Sequence, residues 1–515
     1  MTQRLRRSAL ALALMLASAF LLPQAAEAHG FGQRYDLPVP LWLYLVGAGG
    51  AVALSFVVIG LFVRGAPGLH GYPRLNLLRW RVGRALVHPA VVLPIKAASV
   101  LLFVVVVAAG SVGDQRLTQN LAPTFVWVVW WVGLAYASAL VGNLWVLINP
   151  WNISFGWVET LWRLGFEREL SFHLRYPDKL GVWPGLLLFL VFTWMELVYI
   201  NSALPARIAQ AALVYSAITW GGMLLFGKEQ WLRRGEAFSL AFGFLARFAP
   251  TEIRVIDPAV CDQCKLECRD LDGECIGCGD CFRRASTERR ELNMRPFGVG
   301  LVRNEVVSTS MMAFVVLLLS TVTFDGFTAT PVWVRIFSTL YTVAPNGTAV
   351  RTLGLVALPV VFLGVYLRFA ALMAVASGRR LPVGDMARAF IYSLVPIALA
   401  YHLAHYLSFL LIQGQLIIPL ASDPFGLGWN LLGTNGYTVN IAIINARYAW
   451  FTAIAAIVTG HIIAVYLAHV IALRTLKERK PALSSQYPML VLMVGYTMIS
   501  LWILAQPLVE TVRKG

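Results

Sequence analysis

All six cysteines of this 515-residue chain fall between Cys261 and Cys281, spaced Cys261-x2-Cys264-x3-Cys268-x6-Cys275-x2-Cys278-x2-Cys281. A disulfide framework spread over the fold is thereby excluded, and thiolates this dense point to a metal centre. Two chemistries suit them: zinc held by the two Cys-x2-Cys knuckles, or an iron–sulfur cluster. A second group lies nearer the C-terminus. His402 and His405 stand three apart in Tyr401-His402-Leu403-Ala404-His405-Tyr406, and His461 and His469 follow in the next long apolar stretch. On a helix, His402 and His405 share one face about 60° apart, and His469 lies about 12 Å deeper than His461. An imidazole in hydrocarbon is costly and is usually kept for a task. Three at one level, His402, His405 and His461, are candidate ligands of a divalent metal; a haem site and a proton path use the same residues. Helix–helix hydrogen bonding is the plainer alternative.

Carboxylates complete the candidate chemistry. Glu196 sits in Thr193-Trp194-Met195-Glu196-Leu197, where a charge must be protonated, paired or ligating. Asp325, in Phe324-Asp325-Gly326-Phe327, stands where the sixth apolar stretch gives way to an outward loop. Asp423 lies in Ala421-Ser-Asp-Pro-Phe-Gly-Leu-Gly-Trp-Asn430, the loop joining the two histidine stretches and a candidate lid over them. These three are the candidate catalytic residues. Turn chemistry alone also accounts for Asp423-Pro424 and the neighbouring glycines.

The elements that must position these residues are membrane helices. A composition 58% hydrophobic and only 13% charged, with 17 tryptophans, describes a polytopic membrane protein. Residues 1–28 read as a signal peptide: Arg4, Arg6 and Arg7, an apolar run from Ala9 to Leu22, then Ala26-Glu27-Ala28. Cleavage there makes His29 the mature N-terminus, a candidate copper chelator or an incidental cleavage residue. Ten spans of bilayer length follow, near 41–63, 90–111, 124–148, 185–200, 208–226, 306–323, 353–376, 389–413, 449–473 and 488–508. Basic residues alternate between connections. Arg64, Arg74, Arg79, Arg81 and Arg84 fill the first and Arg116 alone the second. Arg163, Arg168, Arg175 and Lys179 fill the third, and Arg207 alone the fourth. That is the positive-inside pattern of a bacterial inner-membrane protein with a periplasmic mature N-terminus. It accounts for the net charge of +16 without nucleic acid. The expected fold is therefore all-α, with five spans in 29–226, a cytoplasmic Cys-rich metal-binding loop at 227–304, and five spans in 305–515. The apolar Phe238–Phe248 stretch is too short to span and is expected at the membrane interface.

Two resemblances add to this. Glu274-Cys-Ile-Gly-Cys-Gly-Asp-Cys281 resembles the front half of the motif in membrane-bound polyferredoxins, but Ala285 stands where the fourth cysteine belongs and no Cys-Pro follows. A larger resemblance rests on His29-Gly-Phe-Gly-Gln-Arg-Tyr-Asp-Leu-Pro-Val-Pro40 and Ser320-Thr-Val-Thr-Phe-Asp-Gly326. It continues in Ala404-His-Tyr406, Ala421-Ser-Asp-Pro-Phe-Gly-Leu-Gly-Trp429, Gly460-His461 and Ala468-His469. Over most of the mature chain these segments resemble the bacterial membrane proteins named after fenitrothion hydrolase. The resemblance implies hydrolysis of organophosphorus triesters, releasing a nitrophenol and a dialkyl thiophosphate.

A phosphotriester carries no charge, so no arginine clamp is needed. A histidine-bound metal would supply hydroxide and polarise the phosphoryl group. An apolar aryl substrate would arrive through the bilayer. The alternative is an electron carrier, with an iron–sulfur cluster served by a redox partner and paired imidazoles holding haem or quinone. A transporter fits less well, since no internal repeat and no matched pair of broken spans is present.

Overall fold

The computed structural model describes residues 35–63, 65, 72–264 and 268–510. The proposed signal peptide and His29 lie outside them. Ten helices among the described residues are long and apolar enough to span a membrane. They are α1 (Leu41–Phe62), α2 (Pro89–Val112), α3 (Leu121–Leu140), α4 (Trp183–Leu197), α5 (Pro205–Phe226), α6 (Thr309–Thr328), α7 (Gly347–Ala376), α8 (Val395–Gln413), α9 (Ala446–Leu476) and α10 (Arg479–Leu508). Local chemistry fixes their starts. Proline opens α2 and α5, while the side chains of Ser308, Asn346 and Asn445 accept the first free amides of α6, α7 and α9.

The bundle has an inside and an outside. The most apolar stretch of α6 is 72% buried and that of α2 only 6%. Bare Leu and Val side chains on α1, α2 and α7 therefore form a surface suited to lipid. At the centre α8 packs against α3, α6 and α9, and α1 closes the ring by packing on α9 and α10.

Three sequence expectations need correction. The third span stops at Leu140 rather than near 148, and Pro150–Phe166 is a separate helix capped by Asn149. Within α3, Thr124–Gly133 is a π-helix, a form that rarely exceeds one turn and tends to occur at functional sites. The Phe238–Phe248 stretch does not lie at an interface. Its helix, Ala237–Ala246, is enclosed between α3 and α4, where apolar residues on every side demand burial. The buried Glu236 caps that helix through Phe238 N and Ser239 N and also accepts from Trp145 Nε1 and Asn149 Nδ2. Finally, α6 continues through Thr328, so Asp325 faces neighbouring helices instead of opening a loop.

The small strands are β1 (Tyr35–Asp36), β2 (Leu75–Asn76), β3 (Thr251–Val255), β4 (Cys275–Ile276), β5 (Arg290–Met294) and β6 (Val509–Glu510). β1 and β6 pair in parallel; the others form an antiparallel sheet in the order β2-β5-β3-β4. The connection between α1 and α2 thus supplies an edge strand to the Cys-rich segment. Arg74 fixes that edge, reaching Glu252 at 2.9 Å and Glu274 at 2.8 Å, while Arg295 holds the other oxygen of Glu252 at 2.6 Å. Pairing of these two connections requires both on one side of the membrane, as the charge alternation demands.

Candidate functional site

Two groups of residues carry chemistry. The first is the thiolate centre. Cys261 comes from the short helix Pro258–Asp262, Cys275 from β4, and Cys281 from the helix Gly279–Arg284. Ligand atoms of Cys261, Cys268, Cys275 and Cys281 lie within 4.8 Å of one another, as do those of Cys264, Cys268, Cys278 and Cys281. Four thiolates gathered so closely can hold a metal ion. Five of the six cysteines are buried, and only Cys278 is partly open. As thiols they share protons unequally. A hydrogen bond from Cys275 brings Cys278 down to about 4, whereas burial pushes Cys268 up to about 11. The Arg284 guanidinium lies near Cys281 and Cys264 and offsets thiolate charge.

The second group is inside the bundle, where α6 meets α8. Asp325 Oδ2 accepts from the Tyr406 hydroxyl at 2.6 Å and lies 2.9 Å from His405 Nε2. Gly326 permits this approach, since a Cβ there would stand 2.5 Å from the Tyr401 hydroxyl and 2.9 Å from Ile503. Glu196, near the end of α4, is within electrostatic reach of Asp325 and Tyr406. His402 is 4% exposed. Its ring lies 5.2 Å from that of Tyr136, 6.0 Å from Trp131 and 4.8 Å from Tyr406, and neither ring nitrogen has a hydrogen-bond partner. The π-helix of α3 presents Trp131 to this ring. Burying an imidazole without partners costs on the order of 1–3 kcal/mol.

The expected three-histidine metal site is not assembled. His461 turns away, its Nδ1 meeting the Ile457 carbonyl at 2.8 Å and its ring facing Tyr496 of α10. Among the described residues, the two cysteine sets are the groups of three or more His, Cys, Asp or Glu close enough to share an ion. Nor do His402 and His461 face each other as paired haem ligands would. One helix can present His402 to α3 and His405 to α6 because 60° is enough to separate neighbours. His469 is a tie between helices, 3.0 Å from Gln486 Oε1 on α10 and 2.8 Å from the Val63 carbonyl at the end of α1.

Asp423 is likewise structural. Its carboxylate accepts from the amides of Leu427, Gly428 and Trp429 and so shapes its own loop. Phe425 and Pro424 carbonyls accept from Asp114 N and Leu121 N, tying that loop to the connection before α3. Tyr136 and Tyr406 are the participants that sequence reasoning left out. The spacing of Tyr406, four residues after His402, was the available signal. Comparison with protein-family models, with curated proteins and with solved structures found no match.

Proposed function

We propose that the chain is a membrane-embedded hydrolase of apolar phosphotriesters that works by general acid–base catalysis on α6 and α8, with a metal-holding thiolate centre on its Arg-rich, cytoplasmic face. The contact of Asp325 Oδ2 with both His405 Nε2 and Tyr406 carries this reading. With a carboxylate accepting from Nε2–H, the imidazole's Nδ1 is the atom that takes a proton from water. The hydroxide so formed makes a bond to phosphorus, and the bond from phosphorus to the aryl oxygen breaks. The phenolate leaves with the electron pair, and the proton on Nδ1 passes to it or to Glu196. The aromatic rings of Trp131, Tyr136 and Tyr406 offer an apolar wall for an aryl group. The substrate class comes from the sequence resemblance to the fenitrothion-hydrolase proteins; the acid–base site is consistent with it.

The test is nitrophenol release from fenitrothion by purified wild type, Asp325→Asn, His405→Gln and His461→Ala, with yield checked by immunoblot. Positioned acid–base catalysis is worth about 10²–10⁴-fold. Asp325→Asn and His405→Gln should each lose about that much, and His461→Ala should keep nearly all activity. Near-normal rates in well-folded Asp325→Asn and His405→Gln would overturn the reading.

A further inference from the structure

Resting on the reading that the cysteines hold metal, we propose that they hold two ions rather than one, in edge-sharing tetrahedra bridged by the thiolates of Cys268 and Cys281. The two sets of converging sulfurs differ in two members and share two. Cys261 and Cys275 belong to the first set alone, Cys264 and Cys278 to the second alone, and Cys268 and Cys281 to both. The sequence has the same symmetry. Each half of the motif is a triplet, Cys261-Cys264-Cys268 and Cys275-Cys278-Cys281. In both triplets the first cysteine serves one ion, the second serves the other, and the third is shared.

Distances agree with single ions in tetrahedral sulfur. Four thiolates about 2.3 Å from one zinc lie about 3.8 Å apart. Cys264 Sγ and Cys278 Sγ are 3.9 Å apart, and Cys268 Sγ and Cys275 Sγ 3.5 Å. The shortest of these separations, 3.3 Å, is between Cys268 and Cys281, the pair that would form the common edge. A four-iron core, with each cysteine on a different iron, stands between its cysteines and spreads them further than this. Charge balance also favours two ions. One divalent ion on four thiolates leaves a net charge of −2 and two unused cysteines, at least one of them buried. Two ions on six thiolates leave the same −2 and use every cysteine. The Arg284 guanidinium beside Cys281 and Cys264 answers part of that charge.

The experiment is a cobalt titration of the full-length protein in detergent, stripped of metal under reducing conditions, together with metal and sulfide analysis of the protein as isolated. Two equivalents of Co²⁺ should bind with intense thiolate charge-transfer absorption. The paramagnetic signal per cobalt should fall as the second equivalent enters, because the two spins couple through the shared sulfurs. Cys264→Ser should retain one equivalent and the uncoupled signal. Saturation at one equivalent, or two equivalents without coupling, would overturn the bridged pair while leaving a metal centre in place. Four iron and four sulfide per chain would replace it with a cluster. No bound metal of any kind would remove the parent reading as well.

Discussion

Asp325 and Glu252 are both carboxylates with crowded neighbours, and they differ in what a lost charge would do. Glu252 is almost fully buried between Arg74 and Arg295. Glu252→Gln takes the carboxylate from Arg295 and leaves Arg74 with Glu274, and breaking a buried pair in this way costs about 3–5 kcal/mol. The expected result is a Cys-rich segment cut at far lower protease concentration, with the hydrolysis proposed for α6 and α8 little changed. At Asp325 the loss should fall on turnover instead. Tyr406→Phe keeps the ring beside His402 and removes only the hydroxyl donor to Asp325. It should therefore lower kcat by roughly 10- to 100-fold, in line with about 1.5–3 kcal/mol for one hydrogen bond to a charged acceptor, with the fold retained. Sequence alone separated these cases poorly. It shows that Glu196 is expensive to bury, but it put Asp325 at the opening of a loop, and it does not show which amide or phenol meets each oxygen. Asp423 was named for its position, and three backbone amides turned out to use it.

Among the elements, the spans were legible because hydropathy acts over about 20 residues and survives any detail of packing. The π-helix in α3 was not, since it depends on what surrounds Trp130 and Trp131 rather than on their own preferences. Helix spacing is equally invisible until a neighbour is known. Gly460, beside His461, lets α9 approach α8: a Cβ there would stand 2.4 Å from the Ala400 Cβ and 2.8 Å from the Pro396 carbonyl oxygen. The glycine of that motif is thus a packing residue. Gly460→Val should force the helices apart at an overpacking cost of about 1–3 kcal/mol. A melting temperature lowered by several degrees in detergent would agree; an unchanged one would mean that the two helices do not meet there.

For the whole molecule, the spacing of the cysteines made a group able to hold metal legible, whereas the grouping of the sulfurs needed the fold. Removing the ion should act locally. Chelation under reducing conditions is expected to open the segment from Cys261 to Cys281 to protease while the helical circular dichroism of the ten spans persists, because those helices are held by apolar packing and not by thiolates. A parallel collapse of helical signal would show that the two parts fold as one.

The edge strand β2 has a consequence for biosynthesis. Arg74 leaves the ribosome 178 residues before Glu252, and four further spans must be synthesised between them. Until then, Arg74 waits in the aqueous compartment with no carboxylate to receive it. The sheet closes only once β5 has emerged and α2 to α5 have threaded in their proper directions, so an inverted helix would leave the strand on the opposite side of the bilayer from its partners. Pairing of this short segment therefore requires α2 to α5 to have crossed in their proper directions, and it needs nothing from α6 or α8.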